Sequence, residues 1–350
     1  MGCISRSCTR KDAKLNKSLT IIERIVIPHT AFVDAQRQIE QCFTFSAGQG
    51  AQGLAIVGES GTGKTSLLES FESKHEPIRR GDGMEVPVLR ATVPSGPTVK
   101  SLAGKLLEAL NAPDPERGTE NEKSRRLRVL MKNSRTRMVM IDEFQHFYDR
   151  GKRQIMHNVA DWLKVLIDDT RTTLVVAGLR SCRNVIDENE QLARRFLAPI
   201  QLPRFSWTDV GQRSQFICIL KAFHKEIAKQ FDVPVFHSEQ MAFRFYCSTG
   251  GLIGYLANLL KQTLRNAAVE DRKVIRLDDL AAAHAQSVWS SEYISTLPNP
   301  FERGFRLVET VDLLNRVSKI GAVTETAPMY SSSTGKGQGR KSIDSLLVRS

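Results

Sequence analysis

Over roughly the first two hundred residues, short apolar runs alternate with longer stretches in which apolar residues recur every three to four positions. The runs at 54–57, 86–90, 138–141 and 173–177 are too short for helices and too uniformly apolar for strands with one face in water. They read as strands buried on both faces, with a short fifth at Gln201-Leu202. Between them, helical spacing places Val33, Ile39, Cys42 and Phe43 on one face of 33–45, and Leu102, Leu106, Leu107 and Leu110 on one face of a helix capped by Thr98. Segments 120–132 and 155–167 read as further helices. Strands alternating with helices predict an α/β fold, a parallel sheet covered by helices on both faces.

From Trp207 the strand signals stop. Periodicity then predicts helices at 214–229, 238–246, 252–269 and 277–287, a separate small α-helical domain. The first twenty residues are basic, polar and poor in aromatics. Beyond Leu297-Pro298-Asn299-Pro300 the composition loosens into a basic, low-complexity stretch at 331–341. The predicted organisation is a flexible basic arm (1–20), an α/β domain (21–206), a helical domain (207–295) and a C-terminal tail (296–350), partly disordered and partner-binding.

Composition narrows the class. The chain has 350 residues and 41% apolar content, enough for a genuine core. No apolar run is long enough to span a bilayer, and no leader pattern is present, so a cytoplasmic protein without a membrane partner is expected. The six cysteines form no C-x-x-C pair and have no histidine at zinc-ligand spacing, consistent with reduced thiols. A net charge of +12 points to a polyanionic partner, nucleic acid above all, although a solvated basic face would give the same number.

The chemistry is concentrated at two strand ends. Gly58-Glu59-Ser60-Gly61-Thr62-Gly63-Lys64-Thr65 fills every fixed position of G-x-x-x-x-G-K-[ST], between the first strand and a helix opening at Ser66-Leu67-Leu68. Such a loop turns backbone N–H groups toward phosphates, brings the Lys64 ammonium to the β- and γ-phosphates, and offers the Thr65 hydroxyl to Mg²⁺. ATP with Mg²⁺ is therefore the expected ligand. Met138-Val139-Met140-Ile141 then runs into Asp142-Glu143, the form of a Walker B segment: Asp142 for the metal, Glu143 to orient the attacking water. The two acids also suit a helix start, a reading compatible with catalysis.

An α/β P-loop domain followed by helices resembles the AAA+ ATPases. Val93-Pro94-Ser95-Gly96-Pro97-Thr98-Val99-Lys100, Phe144-Gln145-His146 after the acid pair, Gln191-Leu192-Ala193-Arg194-Arg195-Phe196 and the entry Arg24-Ile25-Val26-Ile27-Pro28-His29 narrow the resemblance to the TniB/TnsC regulators of transposition, over roughly residues 20–290. The resemblance implies an ATPase that forms a homo-oligomer, ring or helical filament, on double-stranded DNA. It further implies recruitment of a DDE-type transposase and input from a TniQ-type protein. The same motifs also suit a replication-initiator or helicase-loader ATPase, or a nucleotide-gated scaffold with little hydrolysis.

The resemblance places an arginine finger at Arg194 or Arg195, which a surface basic pair would mimic. DNA contacts are expected from Lys100 and Lys105 on one helix and Arg125, Arg126 and Arg128 on the next, with Lys100 favoured because Thr98 fixes it in a helix's opening turn. Two departures stand out. The strand at 173–177 carries no Asn or Thr at its end, leaving Ser181 or nothing as a polar sensor, and the lid helix after Gly250-Gly251 has no arginine before Arg265. Slow hydrolysis, with ATP acting as an assembly switch, follows as the expectation.

Overall fold

The computed structural model describes residues 22, 28–45, 52–81, 83–149, 153–287 and 297–321. The expected arm (1–20) and the basic stretch at 331–341 lie outside these residues.

The sheet has five strands, β1 (Gly53–Val57), β4 (Val88–Thr92), β5 (Met138–Asp142), β6 (Thr173–Gly178) and β7 (Ile200–Gln201), in the order β4-β5-β6-β1-β7. Every neighbouring pair is parallel. The period of two sorts each strand's residues between two cores. Leu54, Ile56, Met138, Met140, Val175 and Ala177 face α1 (Thr30–Phe45) and α2 (Lys64–Glu72). Ala55, Val57, Val139, Ile141, Leu174 and Val176 face α3 (Val99–Ala109), α4 (Glu120–Asn133) and α6 (Arg153–Thr170). Burial on both faces explains why these strands read as unbroken apolar runs.

Local signals close the helices. Thr98 and Ser101 form a capping box on α3, and Thr119 and Glu122 form another on α4. A turn α5 (His146–Asp149) follows β5, and the short helices α7 (Cys182–Asp187) and α8 (Glu190–Ala193) connect β6 to β7. Strands β2 (Ile78–Arg80) and β3 (Gly83–Glu85), absent from the sequence reading, form a separate, mostly exposed antiparallel hairpin.

The C-terminal region is helical: α9 (Val210–Ile227), α10 (Glu239–Thr249), α11 (Ile253–Val269), α12 (Leu277–Ser287) and α13 (Val311–Val317). Its core unites Trp207, Phe216, Phe223, Tyr246, Leu256 and Leu260 with Phe301, Phe305, Val317 and Ile320. The stretch 297–321, read from sequence as the start of a tail, is thus part of this core. Arg244 Nη1 donates to the carbonyls of Pro300 and Glu302, and Asn299 Nδ2 donates to Ala281 O at 2.9 Å. Ile22, near the other end, is buried in the same cluster.

Candidate nucleotide-binding site

Parallel topology brings the C-terminal ends of β1, β5 and β6 together, where open α/β sheets build their ligand sites. Beyond β1 the chain turns through Gly61 (φ 81°) and Gly63 (φ 95°), left-handed conformations suited to glycine, and enters α2 at Lys64. The loop is stitched to β6 by Gly58 N donating to Gly178 O at 3.1 Å.

Lys64 is buried, its Nζ donating to Gly58 O at 2.9 Å and Glu59 O at 2.8 Å. Burial pulls its pKa down, while Glu143 and then Asp142 pull it back up. Thr65 Oγ1 donates to Asp142 Oδ2 at 2.7 Å, and the other oxygen, Oδ1, accepts from the amide of Glu143 at 2.9 Å. The two motifs, separated by 77 positions in sequence, therefore share a hydrogen bond. The donors that meet there are oxygens only, a hydroxyl and a carboxylate, the hard set that Mg²⁺ takes alongside water and phosphate. Thr65 and Asp142 fit as its holders, and Lys64 with the loop amides fits as the holder of phosphates. When bound, Mg²⁺ would neutralise charge developing on the transferring phosphoryl group.

Glu143 sits at φ 56°, a rare backbone conformation for a residue other than glycine, of the kind that gathers at functional sites. His146 Nε2 lies 3.7 Å from Glu143 Oε2, and its Nδ1 lies 3.9 Å from Asp149. Among the described residues no group of three or more metal-ligating side chains occurs.

The helical region closes over the loop. Gly254 N donates to Gly61 O at 2.8 Å, and the Tyr255 ring edge lies 3.6 Å from where a Cβ on Gly61 would stand. Arg204, between β7 and α9, makes a bidentate pair with Glu59 of the P-loop, with Nε to Oε1 at 2.9 Å, and reaches Gly250 O at 3.3 Å. It ties loop, linker and lid together. Sequence reasoning missed both contacts, since the partners that reach the loop, Arg204 and Gly254, stand far from it in sequence.

The expected finger residues differ in their tethers. Arg195 donates to both oxygens of Asp168, at 2.8 and 3.0 Å, and to Gln191 O. Among the described residues Arg194 pairs with Glu190 alone, one helical turn away, and its side chain is 75% exposed, so little holds it. The expected DNA contacts also divide. Lys100 and Arg125 are exposed. Lys105 pairs with Glu108 at 2.6 Å, Arg128 with Asp169 at 2.7 Å, and Arg126 caps the carbonyls of Pro113, Asp114 and Arg117. Trp162 donates to Ser124 Oγ at 2.9 Å, and Ser181 Oγ is buried without a hydrogen-bond partner among the described residues.

A five-stranded parallel sheet with a P-loop after one strand, an acid pair after another and a helical lid against the loop defines an AAA+ ATPase fold. The chain belongs to the TniB family: the model of the bacterial TniB protein matches residues 19–207. No curated protein matches it in sequence. Among solved structures it is similar to Cdc6p from Pyrobaculum aerophilum, at 16% identity and a TM-score of 0.53 over 80% of this chain and 74% of that one. The ADP form of the ORC2 protein of Aeropyrum pernix follows at 12% identity and a TM-score of 0.54, over 86% and 82%. The ORC1 protein of the same organism, in complex with DNA, follows at 18% and 0.51, over 78% and 69%. At such identities the likeness is one of fold. Among the described residues no helix is long and apolar enough to cross a membrane.

Proposed function

We propose that the chain is an ATP-dependent, DNA-binding regulator of transposition: it assembles on target duplex with ATP and Mg²⁺ bound, recruits a DDE-type transposase, takes target information from a TniQ-type partner, and disassembles on hydrolysis. Membership of the TniB family supports the biological setting. The observation that carries the chemistry is the Thr65–Asp142 hydrogen bond with Glu143 beside it, which gathers a metal holder and a water-orienting carboxylate at the P-loop. Phosphoryl transfer asks the protein mainly for positioning and charge neutralisation, and these residues supply both.

Arg194 is the better finger, because Asp168 holds Arg195 to its own subunit. A finger supplied by a neighbouring subunit would make hydrolysis depend on assembly. No arginine stands at the start of α11, where Gly254 abuts the P-loop, so turnover is slow and ATP serves chiefly as an assembly switch. On DNA, Lys100 and Arg125 meet phosphates rather than bases, since no base-reading motif is present.

Electron microscopy of the protein with duplex DNA and a nonhydrolysable ATP analogue tests the assembly. Ordered oligomers only when both are present are expected; a monomer on DNA, unaffected by nucleotide, would overturn the reading. The fold likeness to Cdc6p and the ORC proteins keeps a replication-initiator role as the second reading. Capture of a replicative helicase rather than a transposase would favour it.

A further inference from the structure

Gln145 lies two positions beyond the acid pair, is buried, and has both ends of its amide engaged. Its Nε2 donates to Glu143 Oε2 at 2.5 Å, and its Oε1 accepts from the backbone amide of Leu179 at 3.1 Å. The first contact joins the amide to the proposed water-orienting carboxylate. The second anchors it to the segment leaving β6, 34 positions away in sequence. Because Leu179 N–H can only donate, the acceptor end of the amide is fixed toward β6 and the donor end toward Glu143.

The neighbouring backbone is built around this side chain. A Cβ on Gly178, the last residue of β6, would stand 2.0 Å from Gln145 Oε1 and 2.5 Å from Cys182 Sγ. No side chain can occupy that strand end while Gln145 is in place. The strand end that lacks an Asn or Thr in sequence is filled in space by an amide from the turn after β5. Phe144 N donates to Ala177 O at 3.0 Å, locking the same turn against β6, while Gly58 N takes the carbonyl of Gly178. P-loop, acid pair and β6 end thus meet around one buried amide.

We infer that Gln145 is a positioning residue for hydrolysis: it sets the direction in which the Glu143 carboxylate faces and links that direction to the end of β6. The inference rests on the ATPase reading above. A carboxylate that orients water must stay aimed, and the Nε2–H donor bond holds it in one direction. The bond occupies Oε2 and leaves Oε1 to accept from water. Glu143's positive φ aims the side chain, and the amide keeps it aimed.

The test is Gln145→Glu, alongside Gln145→Ala, in the full chain with ATP, Mg²⁺ and duplex DNA. Glutamate keeps the shape and the acceptor for Leu179 N–H but replaces the donor facing Glu143 with a second carboxylate. For Gln145→Glu, we expect kcat to fall roughly 10- to 100-fold with KM for ATP within a few fold, and the melting temperature to fall, since a second carboxylate is buried against the first. Gln145→Ala should lose kcat to a similar degree, again with KM for ATP within a few fold. An unchanged or raised kcat in Gln145→Glu, or a KM for ATP that rises in step with the loss of rate in both variants, would overturn the inference. In those cases wild-type turnover leaves the ATPase reading standing; a wild-type chain that binds ATP and never hydrolyses it would remove both.

Discussion

The backbone of Gly254 rests on the backbone of Gly61: the amide-to-carbonyl distance is 2.8 Å, and a Cβ on Gly254 would stand 2.8 Å from the Gly61 Cα. No side chain separates lid from loop, so a change at Gly254 acts directly on the phosphate cradle. Gly254→Ala is expected to force the two apart, costing about 1–3 kcal/mol in the lid–loop contact. ATP affinity should fall with it. Titration with a fluorescent ATP analogue, paired with a thermal melt, measures both, and an alanine variant identical to wild type in the two would show that the lid slides freely there.

Lys64→Ala and Glu143→Gln should separate binding from turnover. Losing the Lys64 charge beside phosphate should weaken ATP binding by about 1.5–3 kcal/mol, roughly 10- to 150-fold. Glu143→Gln should keep nucleotide and lower kcat by roughly 10²- to 10⁴-fold, so DNA-bound assemblies should outlast those of wild type. Isothermal titration and single-turnover hydrolysis give the two numbers; faster disassembly of Glu143→Gln would contradict the role given to Glu143.

For the finger, mixing Arg194→Ala subunits with Lys64→Ala subunits should restore part of the ATPase rate that neither shows alone, because one interface type then pairs an intact P-loop with an intact arginine. Arg195→Ala should act chiefly through Asp168, which would keep Lys164, 3.6 Å away, as its other basic partner. Full complementation from Arg195→Ala and none from Arg194→Ala would exchange the two assignments.

Lys100→Glu and Arg126→Ala should differ in kind. Lys100 is exposed, so its reversal should weaken ATP-dependent assembly equally on unrelated duplexes and reduce the salt slope by about one. Arg126 caps three loop carbonyls, so its loss should lower stability, with a smaller effect on DNA. Filter binding across a salt series, beside melting curves, decides: a loss confined to one duplex would mean that Lys100 reads sequence.

His284 should make the lid acid-sensitive. Its Nδ1 shares a hydrogen bond with Ser248 Oγ at 2.8 Å, and burial lowers its pKa from 6.5 to about 4. Between those values the unfolded chain binds a proton that the folded one does not. Stability therefore falls as pH drops through that window, by roughly 3 kcal/mol at most. Burial of His29 and His224 acts in the same direction. His284→Gln should flatten the slope in denaturant titrations over this range; an unchanged slope would place the effect elsewhere.

The strands were legible because β1, β5 and β6 are buried on both faces, and the P-loop because its chemistry fixes residue type at fixed spacing. The hairpin of β2 and β3 was not legible: Arg79, Arg80, Gly81 and Gly83 carry no buried face to leave a period. Residues 301–320 were hidden behind Pro298 and Pro300, which read as a break although the chain returns to the helical core beyond them. Gln145 stood in plain view beside the acid pair, but its partner Leu179 N–H is remote in sequence and a backbone amide has no letter. Arg126 and Arg128 likewise look like Arg125 until the carbonyls and Asp169 near them are known.

The helical region is not a cassette. Its core is completed by Ile22 from ahead of the α/β domain and by Phe301, Phe305, Val317 and Ile320 from behind its own last long helix. Cuts placed at 206 and 295, where the sequence suggests seams, would each open that core. A graft of this lid would therefore have to carry three separate stretches of chain together, as a composite with both flanks attached.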